Sequence, residues 1–217
     1  MAALALVSTR REYQHVFGIY VPIGIGVCLL FGGLIVFFAV RARFRPPERA
    51  RRWHENNPLE AGYAVLLACV AAFLLYITFS AEHQVDSVSL TEHPFVTIDV
   101  TGSQWEWTFY YPSAGITHVS GYVGRQPLVV PTDEPVRFNI FSRDVIHSFW
   151  IPEIDFKRDA IPGGRETVVL DFPNRGHFIG HCAEFCGLRH AEMVFPVDAV
   201  SASQFTAWQR SRGKAAL

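Results

Sequence analysis

The 217-residue chain has no glycine-rich nucleotide-binding loop, no internal repeat and no low-complexity tract. It has no C-x-x-C-H run either, which excludes a covalently attached c-type haem. Cysteine is scarce, with four residues, and methionine scarcer, with two. Charge is missing altogether from two long stretches, Val16–Val40 and Ala61–Ala81. As helices rising about 1.5 Å per residue, either stretch would cross a hydrocarbon core of about 30 Å. The first is too long for the apolar part of a secretory signal, and no small-residue cleavage site precedes the arginines that follow. Two retained membrane spans are expected.

The arginines set an orientation. Arg41, Arg43, Arg45, Arg49, Arg51 and Arg52 crowd the link between the spans, whereas the preceding tail offers Arg10 and Arg11. The positive-inside rule therefore places the link in the cytoplasm and everything after Ala81 outside. Residues 1–81 carry eight basic and four acidic side chains, and residues 82–217 carry eleven and sixteen, balances of +4 and −5 hidden in a net charge of −1. An acidic outer part suits a basic partner or simple solubility. Nucleic acid is not an expected partner, because the basic residues form no external patch. The expected organisation is an external tail 1–15, spans 16–40 and 61–81 joined by a cytoplasmic link 41–60, a linker 82–94 and an external domain 95–217.

That domain reads as all-β. "FVTIDVTG", "QWEWTFYY", "THVSGYVG", "PLVVPTD", "PVRFNIFS", "IHSFWIP" and "RETVVLDFP" are short runs rich in β-branched and aromatic residues, separated by Gly, Pro, Asp and Asn. Such spacing predicts a sandwich or barrel. Ser201 and Gln204 stand at capping-box spacing, which predicts a helix at the C-terminal end.

Cys28 and Cys69 lie in the apolar spans and read as packing. Cys182 and Cys186 lie in "GHCAEFCGLRHAEM", which gives C-x3-C-x3-H-x2-M from Cys182 through His190 to Met193. Outside the cell a disulfide is the plain alternative. Zinc makes no use of thioether, whereas copper accepts a weak axial methionine. A copper site needs another imidazole, and His147 in "DVIHSFWIPE" is the candidate at a strand end, with His177 and His181 as competitors. His181 is weakened because neighbouring side chains in an extended chain point to opposite faces. The second thiolate fits a pair of coppers bridged by Cys182 and Cys186. His147 and His190 would cap the pair, with Met193 and the Glu184 carbonyl as weak donors.

"HCAEFCGLRHAEM", together with "VIHSFWIPEIDFKRDAIPG", resembles subunit II of the haem–copper cytochrome c oxidases. The resemblance implies two amino-terminal spans before a cupredoxin-like (Greek-key) domain. It implies the binuclear copper centre CuA on His147, Cys182, Glu184 (backbone carbonyl), Cys186, His190 and Met193. It also implies a magnesium ion at the Glu184 carboxylate on the border with the catalytic subunit. Trp105 in "GSQWEWTFYY" matches the tryptophan through which electrons enter from cytochrome c. Strand alternation would put Trp105 and Trp107 on one face. Glu60 in "NNPLE" matches the mouth of a proton pathway. The chain departs from the family's pattern after Glu60, in lacking proline within the second span, and at Glu106.

The resemblance implies an electron-accepting subunit of a respiratory terminal oxidase, an oxidoreductase complex that translocates protons. Cytochrome c would reduce CuA, and haem in subunit I would receive the electron and reduce oxygen to water. The complex would lie in a bacterial inner membrane with the β domain on the periplasmic side. Asp133, Glu134, Glu153 and Asp155 are candidates for an acidic docking surface around Trp105. Two alternatives stand beside this: the corresponding subunit of a haem–copper nitric oxide reductase, and a membrane-anchored copper-delivery protein.

Overall fold

The computed structural model describes residues 9–44, 56–91 and 93–213. Two units are distinct, residues 13–82 and the remainder from His83 onward with the N-terminal segment. The first unit is dominated by two helices, α1 (Thr9–Arg43) and α2 (Asn57–Thr91). Both are long and apolar enough to cross a membrane. Their apolar side chains, Leu29, Ile35, Leu66 and Tyr76 among them, are exposed along the helices, as lipid-facing surfaces require. The Tyr20 hydroxyl of α1 reaches the Leu74 carbonyl of α2 at 3.0 Å and the Thr78 hydroxyl at 2.7 Å. Such a link gives a polar group in an apolar setting its partner. Both helices outrun their uncharged stretches. α2 continues through Glu82–Thr91, where a linker was expected, because nothing in "EHQVDSVSL" breaks a helix. Arg41 and Arg43 fall in the last turn of α1, and Arg45, Arg49, Arg51 and Arg52 lie outside the described residues.

The second unit is a β-sandwich. Its strands are β1 (Val96–Ser103), β2 (Glu106–Tyr111), β3 (Ile116–Gly121), β4 (Leu128–Pro131), β5 (Val136–Ser142), β6 (His147–Ile151), β7 (Phe156–Ala160), β8 (Glu166–Leu170), β9 (Gly176–Cys182) and β10 (Val194–Val200). One sheet has the order β3-β2-β1-β5-β8 and the other β4-β10-β9-β6-β7. The pairs β1·β5 and β4·β10 are parallel. Alternation drives the packing: β5 and β10 bury every second residue. The core between the sheets is strongly aromatic. Phe149 and Phe195 stack at 5.0 Å and 6°, and Trp107 meets both edge-on at 5.5 and 5.9 Å. Gly180 is required there, since a Cβ would come within 2.0 Å of the Phe195 ring.

The expected terminal helix is present as α3 (Ala202–Gly213). Its capping box is reciprocal: the Gln204 amide donates to Ser201 Oγ at 3.3 Å, and the Ser201 amide donates to Gln204 Oε1 at 3.1 Å. Phe205 and Trp208 turn inward against Tyr111.

Candidate metal centre

Four segments meet at one end of the sandwich. His147 opens β6, Cys182 closes β9, Cys186 lies in the following loop, and a short 3-10 turn that begins at His190 and is capped by Met193 leads into β10. The loop starts where it does because Cys182 N donates to the Met193 carbonyl at 3.0 Å and Ala183 N to the Ser148 carbonyl at 3.0 Å. The donor atoms form a row. His147 Nδ1 is 3.8 Å from Cys182 Sγ, the two sulfurs are 3.8 Å apart, and His190 Nδ1 is 3.6 Å from Cys186 Sγ. Met193 Sδ lies 3.8 Å from Cys186 Sγ, and the Glu184 carbonyl 3.3 Å from Cys182 Sγ. His147 and Met193 are fully buried and both cysteines nearly so.

The row fits metal. Both thiols are free, and their 3.8 Å separation is far from the ~2.05 Å of a disulfide. Two donors each ~2.3 Å from one ion are separated by about this distance. The donor atoms of His147, Cys182 and Cys186 lie within 4.8 Å of one another. Thiolate, imidazole and thioether in a dry pocket suit copper better than a hard cation.

The site's electrostatics favour one thiolate over two. Burial opposes ionisation of Cys182, but hydrogen bonds from His147 and the surrounding backbone outweigh it and bring its pKa to about 7. Burial and then the adjacent Cys182 charge push Cys186 up to about 12. His147 is itself raised: burial is outweighed by its bonds to Cys182 and Asp144. Two thiolates side by side therefore call for a positive ion between them.

Sequence reasoning passed over the residues that hold this row in place. Asp144 Oδ1 accepts from His147 Nε2 at 2.9 Å, which turns Nδ1 toward the sulfurs. Asp144 also accepts from the amides of Gln104 at 2.7 Å and Val145 at 2.7 Å, and these bonds, with His147, outweigh burial and hold its carboxyl below the ordinary range. Gly102 lets β1 pass the His147 ring, because a Cβ would stand 2.9 Å from His147 Cδ2. An aspartate three residues before a candidate histidine was the available signal for the first of these. Nothing local marked the second.

Trp105 and Trp107 do not share a face. β2 begins at Glu106, so Trp105 lies in the turn after β1, where alternation has no hold. Trp107 is buried beside His147, ring centroids 5.9 Å apart, while Trp105 is half-buried with Nε1 3.3 Å from the Cys186 carbonyl. The competing histidines lie elsewhere: His177 pairs with Asp198 at 2.7 Å, and His181 packs on Trp150 at 5.6 Å. Glu184 has an exposed side chain, and Glu60 sits in the first turn of α2.

The acidic candidates Asp133, Glu134, Glu153 and Asp155 do not surround Trp105. Asp133 and Glu134 precede β5, whose Val136 pairs with Val96 at the start of β1, while Trp105 follows the end of β1. Seven steps of ~3.3 Å put them roughly 23 Å from the site end. Glu153 and Asp155 lie on the turn between β6 and β7, at the end of β6 away from His147. Around Trp105 stand Glu106 and Tyr122 instead, with Arg189 stacked on Tyr122 at 3.7 Å and paired to Glu192 at 3.3 Å.

A mixed two-sheet sandwich with histidine, cysteine and methionine donors gathered at one end defines a cupredoxin-like domain, here behind two transmembrane-like helices. Residues 96–200 match the family described as Cytochrome C oxidase subunit II, periplasmic domain. The probable cytochrome c oxidase subunit 2 of Streptomyces coelicolor is 31% identical over 82% of this chain and 67% of its own length. Cytochrome c oxidase subunit 2 of Alkalihalophilus pseudofirmus is 32% identical over 80% of this chain and 51% of its own. The crystal structure of the periplasmic domain of subunit II of cytochrome oxidase (CoxB) of Bradyrhizobium japonicum superposes with a TM-score of 0.54 at 30% identity, covering 57% of this chain and 97% of that one. The chain belongs to the cytochrome c oxidase subunit II family.

Proposed function

We propose that this chain accepts electrons from a cytochrome c at a binuclear CuA centre and passes them to haem in a catalytic subunit that reduces oxygen. The observation that carries the reading is the row His147–Cys182–Cys186–His190, with two sulfurs side by side and an imidazole nitrogen beyond each. A copper pair shared by two thiolates supplies a one-electron carrier with little geometric change on reduction. Cys182, Cys186, His147 and His190 would hold the copper, and Met193 and the Glu184 carbonyl would add weak donors. Asp144 fixes the His147 ring, and the buried walls exclude water, so no open position is left for a substrate.

Trp105 is the point of electron arrival, since its indole donates to the Cys186 carbonyl from a half-exposed turn. Phe185, Leu188 and Val123, exposed at 78%, 88% and 74%, form an apolar surround near it for the donor. The exposed Glu184 carboxylate suits a hard cation such as magnesium at the catalytic subunit's border. Glu60, at the start of α2, is the candidate for receiving protons. The chain sits in the bacterial inner membrane as spans 16–40 and 61–81, link 41–60 inward, tail 1–15 and domain 95–217 periplasmic.

The experiment is electron paramagnetic resonance of the oxidised, copper-loaded chain. One electron coupled to two copper nuclei is expected, and hyperfine splitting from a single copper would refute the paired site.

A further inference from the structure

Cys186 sits in a loop that strands do not hold. Among the described residues, two hydrogen bonds tie Phe185–Leu188 to the first sheet, and both end on the Cys186 carbonyl. Gln104 Nε2 donates at 2.6 Å and Trp105 Nε1 at 3.3 Å. The backbone amide of the same Gln104 donates to Asp144 Oδ2 at 2.7 Å, and Asp144 Oδ1 holds His147 at 2.9 Å. One residue therefore touches the support of His147 with its main chain and the peptide of Cys186 with its side chain. The next residue is shaped to allow it. Gly187 has φ +115, and a Cβ there would come 2.9 Å from Gln104 Nε2 and 3.4 Å from Trp105 Nε1.

We propose that Gln104 is a positioning residue for the metal centre, a two-ended staple that sets the spacing between the His147 and Cys186 sides of the donor row. The proposal rests on the reading that this row binds copper. It acts through the peptide rather than the sulfur, so its loss frees the loop without removing a ligand. Trp105 does not replace it, because its bond to the Cys186 carbonyl, 3.3 Å against 2.6 Å, is the weaker of the two. A side chain of equal length without a donor removes one end of the staple and leaves the other, which is main chain.

The test compares Gln104→Met with the unsubstituted full-length chain in detergent. Without metal, amide exchange across 186–190 should quicken about two- to twelve-fold, the range one hydrogen bond commands, with β1 and β10 unchanged. Loaded with copper, Gln104→Met should shift the reduction potential and the hyperfine pattern and lose copper to a chelator faster by a similar factor. Those spectroscopic changes would not follow from a merely structural contact. Unchanged exchange at 186–190 overturns the proposal. Should Gln104→Met fold poorly, Gln104→Asn keeps the amide but falls one methylene short, and the same local quickening is required of it. An unsubstituted chain lacking a two-copper spectrum would sink the proposed function, while the metal-free exchange would still decide the staple.

Discussion

Asp144 and His147 are joined Oδ1 to Nε2 at 2.9 Å, and that bond decides which ring nitrogen faces the sulfurs. A ligand histidine held by a carboxylate keeps its tautomer and gains basicity. Asp144→Ala should therefore weaken copper binding about 10- to 100-fold, as outer partners of ligand histidines commonly do. Competition with a graded series of chelators measures it, and wild-type affinity would show that the aspartate only decorates the loop.

Cys182→Ser should collapse the paired centre to a single copper, because one bridge cannot hold two ions in place of two. Met193→Leu should keep both coppers and move mainly the potential. Met193 is fully buried, and a swap of near-equal volume costs less than about 1.5 kcal/mol. Paramagnetic resonance separates the two variants: a four-line spectrum is expected from the first alone.

The metal-free chain should respond to pH through its two thiols. Cys182 is lowered from 9.0 to about 7, so its own contribution to stability rises with pH across that window, opposed by the raised His147, whose contribution is lost as pH rises. Cys186 is raised from 9.0 to about 12, so stability falls again above pH 9. Denaturant midpoints of metal-free protein should fall above pH 9, and Cys186→Ser should remove that fall. Copper should abolish the fall by holding both thiolates.

The candidate donor row was legible because its five side chains sit in two short segments, and the capping box of α3 was legible because it is wholly local. What stayed hidden depends on topology. β7 reads "FKRDA" and carries Lys157, Arg158 and Asp159, charges that an edge strand tolerates and that mask its pattern. β9 is interrupted by Gly176 and Gly180, and β10 by Pro196. Trp105 escaped the alternation argument because a turn, not a strand, carries it. The far placement of Asp133 follows from the parallel pairing of β1 with β5, which no local pattern announces.

Gly102→Ala and Gly180→Ala should both destabilise, but only one should disturb the metal. A Cβ at Gly102 meets His147 at 2.9 Å, whereas one at Gly180 meets the Phe195 ring at 2.0 Å, deep in the aromatic core. Overpacking of this kind costs about 1–3 kcal/mol or more, with Gly180 the larger. Thermal melts rank the two, and the copper spectrum should shift for Gly102→Ala while Gly180→Ala, where it folds, retains it. Equal spectral change in both would mean that the core, and not the His147 contact, tunes the site.

The encounter with cytochrome c should depend on salt less steeply than the acidic balance of the outer domain suggests. Asp133 and Glu134 stand roughly 23 Å from the Trp105 end by strand length, beyond a Debye length of ~8 Å at physiological salt. Near Trp105, Glu192 is met by Arg189, and Phe185, Leu188 and Val123 are strongly exposed. Apolar contact survives salt, whereas charge steering does not. Asp133→Asn with Glu134→Gln should leave both the rate of cytochrome c oxidation by the complex and its salt slope unchanged. Leu188→Ser should slow the reaction at every ionic strength, and Trp105→Phe should slow it further with copper content intact. A steep salt slope that disappears in the Asp133/Glu134 pair would place the docking surface at the opposite end of the sandwich and remove Trp105 from the route.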